Sequence, residues 1–266
     1  MMKTSPLVVA QLSDTHLFAD RNQTLLGLST ARSLEGVLQQ IKQLQPQPDL
    51  LLLTGDLSQD ETPTSYERLR KLVAPLGLPT YWLAGNHDQL ALVQWIPDLA
   101  IAPFSADKQF FQGDWNFLLL NSAALNCVHG ELSNESIDWL ETQLEANPHP
   151  TLIALHHPPL PIASEWMDNI NLKNAAALID AIDRHPQVKV VLFGHIHQEF
   201  DQQRRNARYL GAPSTCVQFK PRSRDFTVDE LKPGFRLLSL YPDGSIATQV
   251  QRIQDCPPLD LTATGY

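Results

Sequence analysis

Three cysteines, no hydrophobic run of membrane-spanning length and no basic tract of any size set the outer limits of this 266-residue chain. Cys127, Cys216 and Cys256 form no Cys-x-x-Cys pair, and an odd number without a framework argues against a disulfide-built secreted domain. The expectation is free thiols in a reducing compartment, the cytoplasm. No apolar stretch approaches the ~18 residues of a transmembrane helix. The opening MMKTSPLVVAQLSD lacks the apolar segment and small-residue cleavage site of a secretory leader, so no membrane partner is expected. Twenty Lys and Arg stand against 29 Asp and Glu, a formal charge of −9, and the basic residues gather no further than QQRRNAR at 202–208. Nucleic acid is not an expected partner, because binding it depends on clustered cations that neutralise phosphates. A small anionic substrate stays open, since bound metal ions reverse the local sign of the field. P-loop, Gly-x-Ser-x-Gly and His-Glu-x-x-His motifs are missing too, which counts against those hydrolase chemistries.

What is present is an alternation of apolar runs and segments of helical period. PLVVAQL (6–12), DLLLLT (49–54), TYWLA (80–84), TLIAL (151–155) and VKVVLF (188–193) read as buried strands by length and apolar density. Helices are predicted over 30–45, 64–76, 132–147 and 171–185. Pro63 suits the first turn of the second, after Thr62, and Ser133 suits the N-cap of the third. Beyond about 197 the chain turns β-rich, with RYLGA, STCVQF, FRLLSLY and SIATQVQRI separated by KPG and PDG turns. No repeat or low-complexity linker divides it, and the Pro-rich HHPPLPIASEWMD (156–168) reads as a loop over a site. A single α/β domain over 1–266 is expected.

The five apolar runs share one feature: each leads into metal-ligand chemistry, as QLSDTH, LLTGD, LAGNHD, IALHH and LFGHIH. Open α/β sheets gather ligands beyond the carboxyl ends of their strands. Five strands would therefore deliver Asp14, His16, Asp56, Asn86, His87, His156, His195 and His197 to one rim. Singly, each residue has an ordinary explanation: a turn cap, a loop carboxylate, a satisfied core histidine. Their joint occurrence at five strand ends does not.

In this order, D-x-H, G-D, G-N-H-D, H and G-H-x-H resemble the motifs of the calcineurin-like metallophosphoesterases. The resemblance implies a four-layer double β-sandwich flanked by helices, with two divalent metal ions. SDTHL, TGDLSQD, HGELS, HHPPLP, GHIHQE and PSTCVQFKP narrow it, being similar to the bacterial class III cyclic-AMP phosphodiesterases over nearly the whole length. Ala84 departs from that group, which often has proline before GNHD. Carried over, the resemblance implies Asp14, His16, Asp56 and His197 on one ion and Asp56, Asn86, His156 and His195 on the other. The ions implied are Fe(II) or Mn(II). His87 would assist as a non-ligand catalytic residue, with Asp88 orienting its ring, and His16, Asp56, Asn86, His87 and His197 would meet the phosphate. The implied reaction is hydrolysis of 3′,5′-cyclic AMP to 5′-AMP by a metal-activated hydroxide. A broader phosphodiesterase acting on 2′,3′-cyclic nucleotides or glycerophosphodiesters is the alternative, followed by a non-catalytic scaffold of the same fold. His129 and Trp166 are candidates for contact with the nucleoside, although a strand end and a loop account for them without it. The segment 213–221 reads first as a core strand, with a role near the substrate pocket as the alternative.

Overall fold

A computed structural model describes residues 5–88, 108–255 and 259–264; Cys256 lies outside them. In chain order the elements begin with β1 (Leu7–Leu12), the small hairpin β2 (Thr24–Leu25) and β3 (Leu28–Ser29), α1 (Thr30–Lys42), β4 (Leu50–Thr54), α2 (Pro63–Val73) and β5 (Thr80–Leu83). The middle of the chain adds β6 (Lys108–Gln112), β7 (Trp115–Leu119), α3 (Asn134–Ala146), β8 (Thr151–Ala154), the one-turn α4 (Glu165–Asp168), α5 (Ala175–Arg184) and β9 (Val188–Phe193). Strands alone follow: β10 (Phe200–Arg204), β11 (Ala207–Gly211), β12 (Gln218–Phe219), β13 (Val228–Asp229), β14 (Gly234–Leu240) and β15 (Ile246–Arg252). The predicted caps form. Thr62 Oγ1 accepts from the Ser65 amide at 3.2 Å, and Ser133 Oγ accepts from the Ser136 amide at 3.1 Å.

Sheet one has the order β15-β14-β1-β4-β5, with β1, β4 and β5 parallel and the β14–β15 ribbon antiparallel beside β1. Sheet two has the order β10-β11-β9-β8-β7-β6, its four central strands parallel and both edges antiparallel. The period-2 alternation of each strand decides the layers. Leu50 and Leu52 of β4 join Val9, Leu238, Phe117, Leu152, Val190 and Leu210 in an apolar layer between the sheets. Leu51 and Leu53 turn the other way, onto Leu34 and Val37 of α1 and Tyr66 and Leu69 of α2. On the far side, Ile153 and Val191 meet Leu140 and Leu144 of α3 and Leu178 and Ile182 of α5. Each such leucine adds about 1.5–3 kcal/mol relative to exposure. The result is helix, sheet, sheet, helix: the four layers that the resemblance implied.

Two features depart from the sequence expectation. The hairpin β6–β7, turning at Gly113 and Asp114, was not among the predicted strands. The C-terminal strands divide between the sheets, β10 and β11 joining sheet two while β14 and β15 join sheet one. Within STCVQF just Gln218 and Phe219 are strand.

Candidate metal centre

The parallel strands β1, β4 and β5 of one sheet and β8 and β9 of the other end at a shared edge of the sandwich. The chain turns there in an unusual way. Asp14, His16, Asp56, His195 and His197 all have left-handed backbones, with φ of 55°, 43°, 51°, 69° and 48°. Such a conformation costs a non-glycine residue about 1–3 kcal/mol and persists where its surroundings over-determine it. Here they do. The Asp14 amide donates to the Gly55 carbonyl at 3.0 Å, the His16 amide to the Asp56 carbonyl at 3.0 Å, and the His195 amide to Asp14 Oδ1 at 3.0 Å. Gly85 is required by close approach, since a Cβ there would fall on the Asp56 carboxylate. Gln11 ties the sheets together behind the site: its buried amide donates to Thr54 Oγ1 and to the Phe193 carbonyl, each at 3.0 Å.

All eight predicted residues lie at this edge. Donor atoms of Asp14, His16 and His197 lie within 4.8 Å of one another, as do those of Asp14, Asp56 and His156. Asp56 Oδ2 stands between the groups, 3.8 Å from His16 Nε2 and 3.2 Å from His156 Nε2. His195 packs against His156, ring centroids 5.1 Å apart, and Asn86 follows Gly85, the residue that lies against the Asp56 carboxylate.

Three histidines are held by their Nδ1 atoms, so that Nε2 faces inward. Nδ1 of His16 pairs with Gln59 Oε1 at 2.6 Å, that of His156 with the Thr54 carbonyl at 2.7 Å, and that of His197 with the Val217 carbonyl at 2.9 Å. An acceptor at Nδ1 assigns the proton of a neutral ring to that nitrogen and leaves Nε2 as a lone pair. The Nε2 atoms of His16 and His197 then face each other at 3.1 Å. Two lone pairs at that distance repel unless a cation lies beside them.

The charges suit a cation as well. Burial lowers His16 to about 3 and holds His195 well below its ordinary value, so both rings are neutral ligands. Burial opposes ionisation of Asp14 and Asp56, yet His197 holds the first below the ordinary carboxylate value and His156 holds the second well below it. Burial also opposes a charge on His156, but the Asp56 carboxylate overcomes it and raises His156 to about 9, so its Nε2 carries a proton that a bound cation would displace. Asp14 Oδ2, Asp56 Oδ2, Asn86 Oδ1, His156 Nε2 and both ring nitrogens of His195 are buried without a hydrogen-bond partner. An orphaned buried polar atom costs about 1–3 kcal/mol. Asp56 Oδ2 and His156 Nε2 have each other at 3.2 Å, and the other four have no counter-group among the described residues. Carboxylate, amide and imidazole donors without thiolate fit divalent metal ions.

His157 lies within the cluster, with a donor atom within 4.8 Å of those of His156 and His195, but its ring is engaged elsewhere. Its Nδ1 pairs with Ser122 Oγ at 2.9 Å and its Nε2 with the Val128 carbonyl at 3.1 Å, so both nitrogens are taken. Burial keeps it neutral. His87 is half-buried, its amide donating to Asp56 Oδ1 at 2.9 Å and its ring edge-on to His16 at 5.0 Å. Asp88, expected to orient the His87 ring, sends its carboxylate elsewhere. It accepts from the amides of Leu57, Ser58 and Gly85 at 2.9–3.2 Å and from the Tyr66 hydroxyl at 3.0 Å. Burial, with the nearby Asp56 charge, raises it to about 6. Its geometry fastens the loop after β4 to the loop after β5.

Sequence analysis missed the orienting partners Gln59, Thr54, Val217 and Ser122. Trp166 lies edge-on to Phe219 and Phe226 at 5.2 Å each, with its indole N–H on Ser223, and Gln218 and Phe219 are fully buried.

A four-layer sandwich with a carboxylate–imidazole centre between its sheets defines a metal-dependent phosphoesterase, and residues 7–199 match the model of the calcineurin-like phosphoesterases. The chain belongs to that family. More particularly, it is 48% identical over 265 residues to a 3′,5′-cyclic-nucleotide phosphodiesterase of Nostoc sp., covering 99% of both proteins. It is 44% identical to the 3′,5′-cyclic adenosine monophosphate phosphodiesterase CpdA of Pseudomonas aeruginosa, over 98% of this chain and 95% of that one. Among solved structures, a dimetal phosphatase from Danio rerio shares the fold at a TM-score of 0.69 and 13% identity, over 92% of this chain and 99% of that one.

Proposed function

We propose that this protein hydrolyses the 3′,5′-cyclic phosphodiester of cyclic AMP to 5′-AMP at a pair of divalent metal ions. The gathering of six buried donor atoms on one edge of the sandwich, four of them with no counter-group among the described residues, carries the proposal. Near-full-length similarity to 3′,5′-cyclic-nucleotide phosphodiesterases supports the substrate. Asp14, His16, Asp56 and His197 would hold the first ion, and Asp56, Asn86, His156 and His195 the second. Fe(II) or Mn(II) suits this mixture of oxygen and imidazole donors. When bound, such ions supply Lewis-acid polarisation of the phosphate and acidify an attacking water.

The chain's own residues do the rest. His16, Asp56, Asn86, His87 and His197 form the floor on which the phosphate would rest. His87, an imidazole of the rim outside both ligand sets, would protonate the 3′-oxygen as it leaves. Its backbone is fixed by the bond to Asp56, and Asp88 acts as a positioning residue through Gly85 and Leu57. Residues 1–266 would work as one domain, supported by the apolar layer that both sheets share. No helix among the described residues is long and apolar enough to cross a membrane. The free thiols of Cys127 and Cys216 support a cytoplasmic location.

Turnover of cyclic AMP, cyclic GMP, 2′,3′-cyclic AMP and an aryl phosphodiester by the Mn(II)-loaded protein tests the proposal. Cyclic AMP is expected to give the highest kcat/KM, with 5′-AMP as product. Preference for 2′,3′-cyclic AMP would make the protein a broader phosphodiesterase. No turnover at full metal content would make it a non-catalytic member of the fold.

A further inference from the structure

After β11 the chain passes behind the Asp14 and His197 side of the centre, and residues 214–219 attach themselves to that side by several independent contacts. Ser214 Oγ donates to the Asp14 carbonyl at 2.8 Å, and the Cys216 thiol lies 3.3 Å from the same oxygen. The Thr215 amide donates to the Ser13 carbonyl at 3.0 Å. The Val217 carbonyl takes the Nδ1 proton of His197, while the Phe219 amide donates to the His197 carbonyl at 3.0 Å. The Phe219 ring lies flat on the His197 imidazole, centroids 4.1 Å apart and planes within 7°.

The segment is fastened from outside as well. Ser33 Oγ of α1 donates to the Thr215 carbonyl at 2.6 Å, the Gly234 amide to the Ser214 carbonyl at 3.0 Å, and Arg252 to Gln218 Oε1 at 3.1 Å. Among the described residues, no hydrogen bond or ring contact joins 214–219 to Asn86, His156 or His195. Those residues are braced elsewhere, His156 by the Thr54 carbonyl and by Ser122 Oγ.

We infer that residues 214–219 are a positioning strap for one of the two ions. The strap fixes Asp14 and His197 and sets the affinity of the site they form with His16. It reaches the site of Asn86, His156 and His195 only at second hand, through the Asp14 Oδ1 that accepts from the His195 amide. The inference rests on the two-ion reading above. Physically, a flat ring against one face of His197 and a carbonyl at its Nδ1 fix both the plane and the tautomer of the imidazole. Partners of this kind typically govern 10–100-fold in metal affinity.

Calorimetric titration of the metal-free, full-length protein with Mn(II) tests this. Phe219→Leu keeps apolar volume and removes the ring, and Ser214→Ala removes the clamp on Asp14. Either variant should weaken one of two Mn(II) equivalents by about 10–100-fold and change the other far less. Combination with ligand variants identifies the site. In a His156→Ala background the remaining ion should show the full loss from Phe219→Leu; in a His197→Ala background it should show far less. Equal weakening in both backgrounds would mean general loosening of the fold, and weakening in neither would mean the strap carries no load; each overturns the inference. If the parent takes up fewer than two equivalents, the two-ion reading fails first and the strap falls with it.

Discussion

Sheet one ends in Asp14, His16, Asp56, Asn86 and His87, whereas sheet two ends in His156, His195 and His197, so the oxygen donors come from one sheet and the other adds imidazole alone. Each proposed ion draws ligands from both edges. Asp56 Oδ2 finds His156 because Leu50, Leu52, Leu152 and Val190 have packed the two sheets face to face. Gln11, reaching from β1 to the end of β9, keeps that edge from sliding. Metal binding to such a centre is coupled to closure of the sandwich, because unfolded chain offers no preformed site.

The largest expected effect breaks the link between the sheets. Asp56→Ala removes the oxygen that stands between His16 and His156, so the purified variant should lose both metal equivalents and nearly all turnover. Elemental analysis is the check, and two retained equivalents would mean that the sheets share no bridging ligand.

Removing His87 sharpens the comparison instead, since it belongs to sheet one's edge without belonging to either ligand set. His87→Ala should keep near-parental metal while cyclic-AMP turnover falls by about 10²–10⁴-fold, the usual contribution of a general acid. An aryl phosphodiester, whose phenolate leaves without a proton, should lose far less. Equal losses on both substrates would remove the acid role.

The smallest effect is on stability. A ligand at 100 times its Kd adds about 2.7 kcal/mol to the folded state. Chelation should therefore lower Tm by roughly 5–10 °C per ion in a chain of this size. A Tm indifferent to chelator would show that the packed sheets do not need the ions.

The donors of both sheets were legible in the sequence because each strand is a short apolar run and the chemistry begins where the run stops. Asp14, Asp56 and His195 could be placed on one rim from that punctuation alone. The supports were not legible. Thr54 and Val217 act through backbone carbonyls, which every residue possesses, and His197 meets Val217 only after β10 and β11 have turned the chain around. Asp88 sits inside a recognisable motif, yet its direction depends on Tyr66 of α2 and on the amides after β4. The β6–β7 hairpin carried a turn signal in Gly113–Asp114. Its aromatic stack of Phe110 on Tyr81 and Phe117, however, depends on a neighbour from the other sheet.

The pairing of β1 with β14, Leu7 opposite Leu240, has a consequence for the order in which a ribosome delivers the chain. Strand β1 is made more than 200 residues before the strand that covers its second edge. Until β14 has been made, the row of amides and carbonyls on that edge of β1 has no native partner. Open strand edges template association with other chains, and pairings of such long sequence separation form slowly. Chains cut short before β14 are therefore expected to be recovered as aggregate, however many of their ligand residues they already contain.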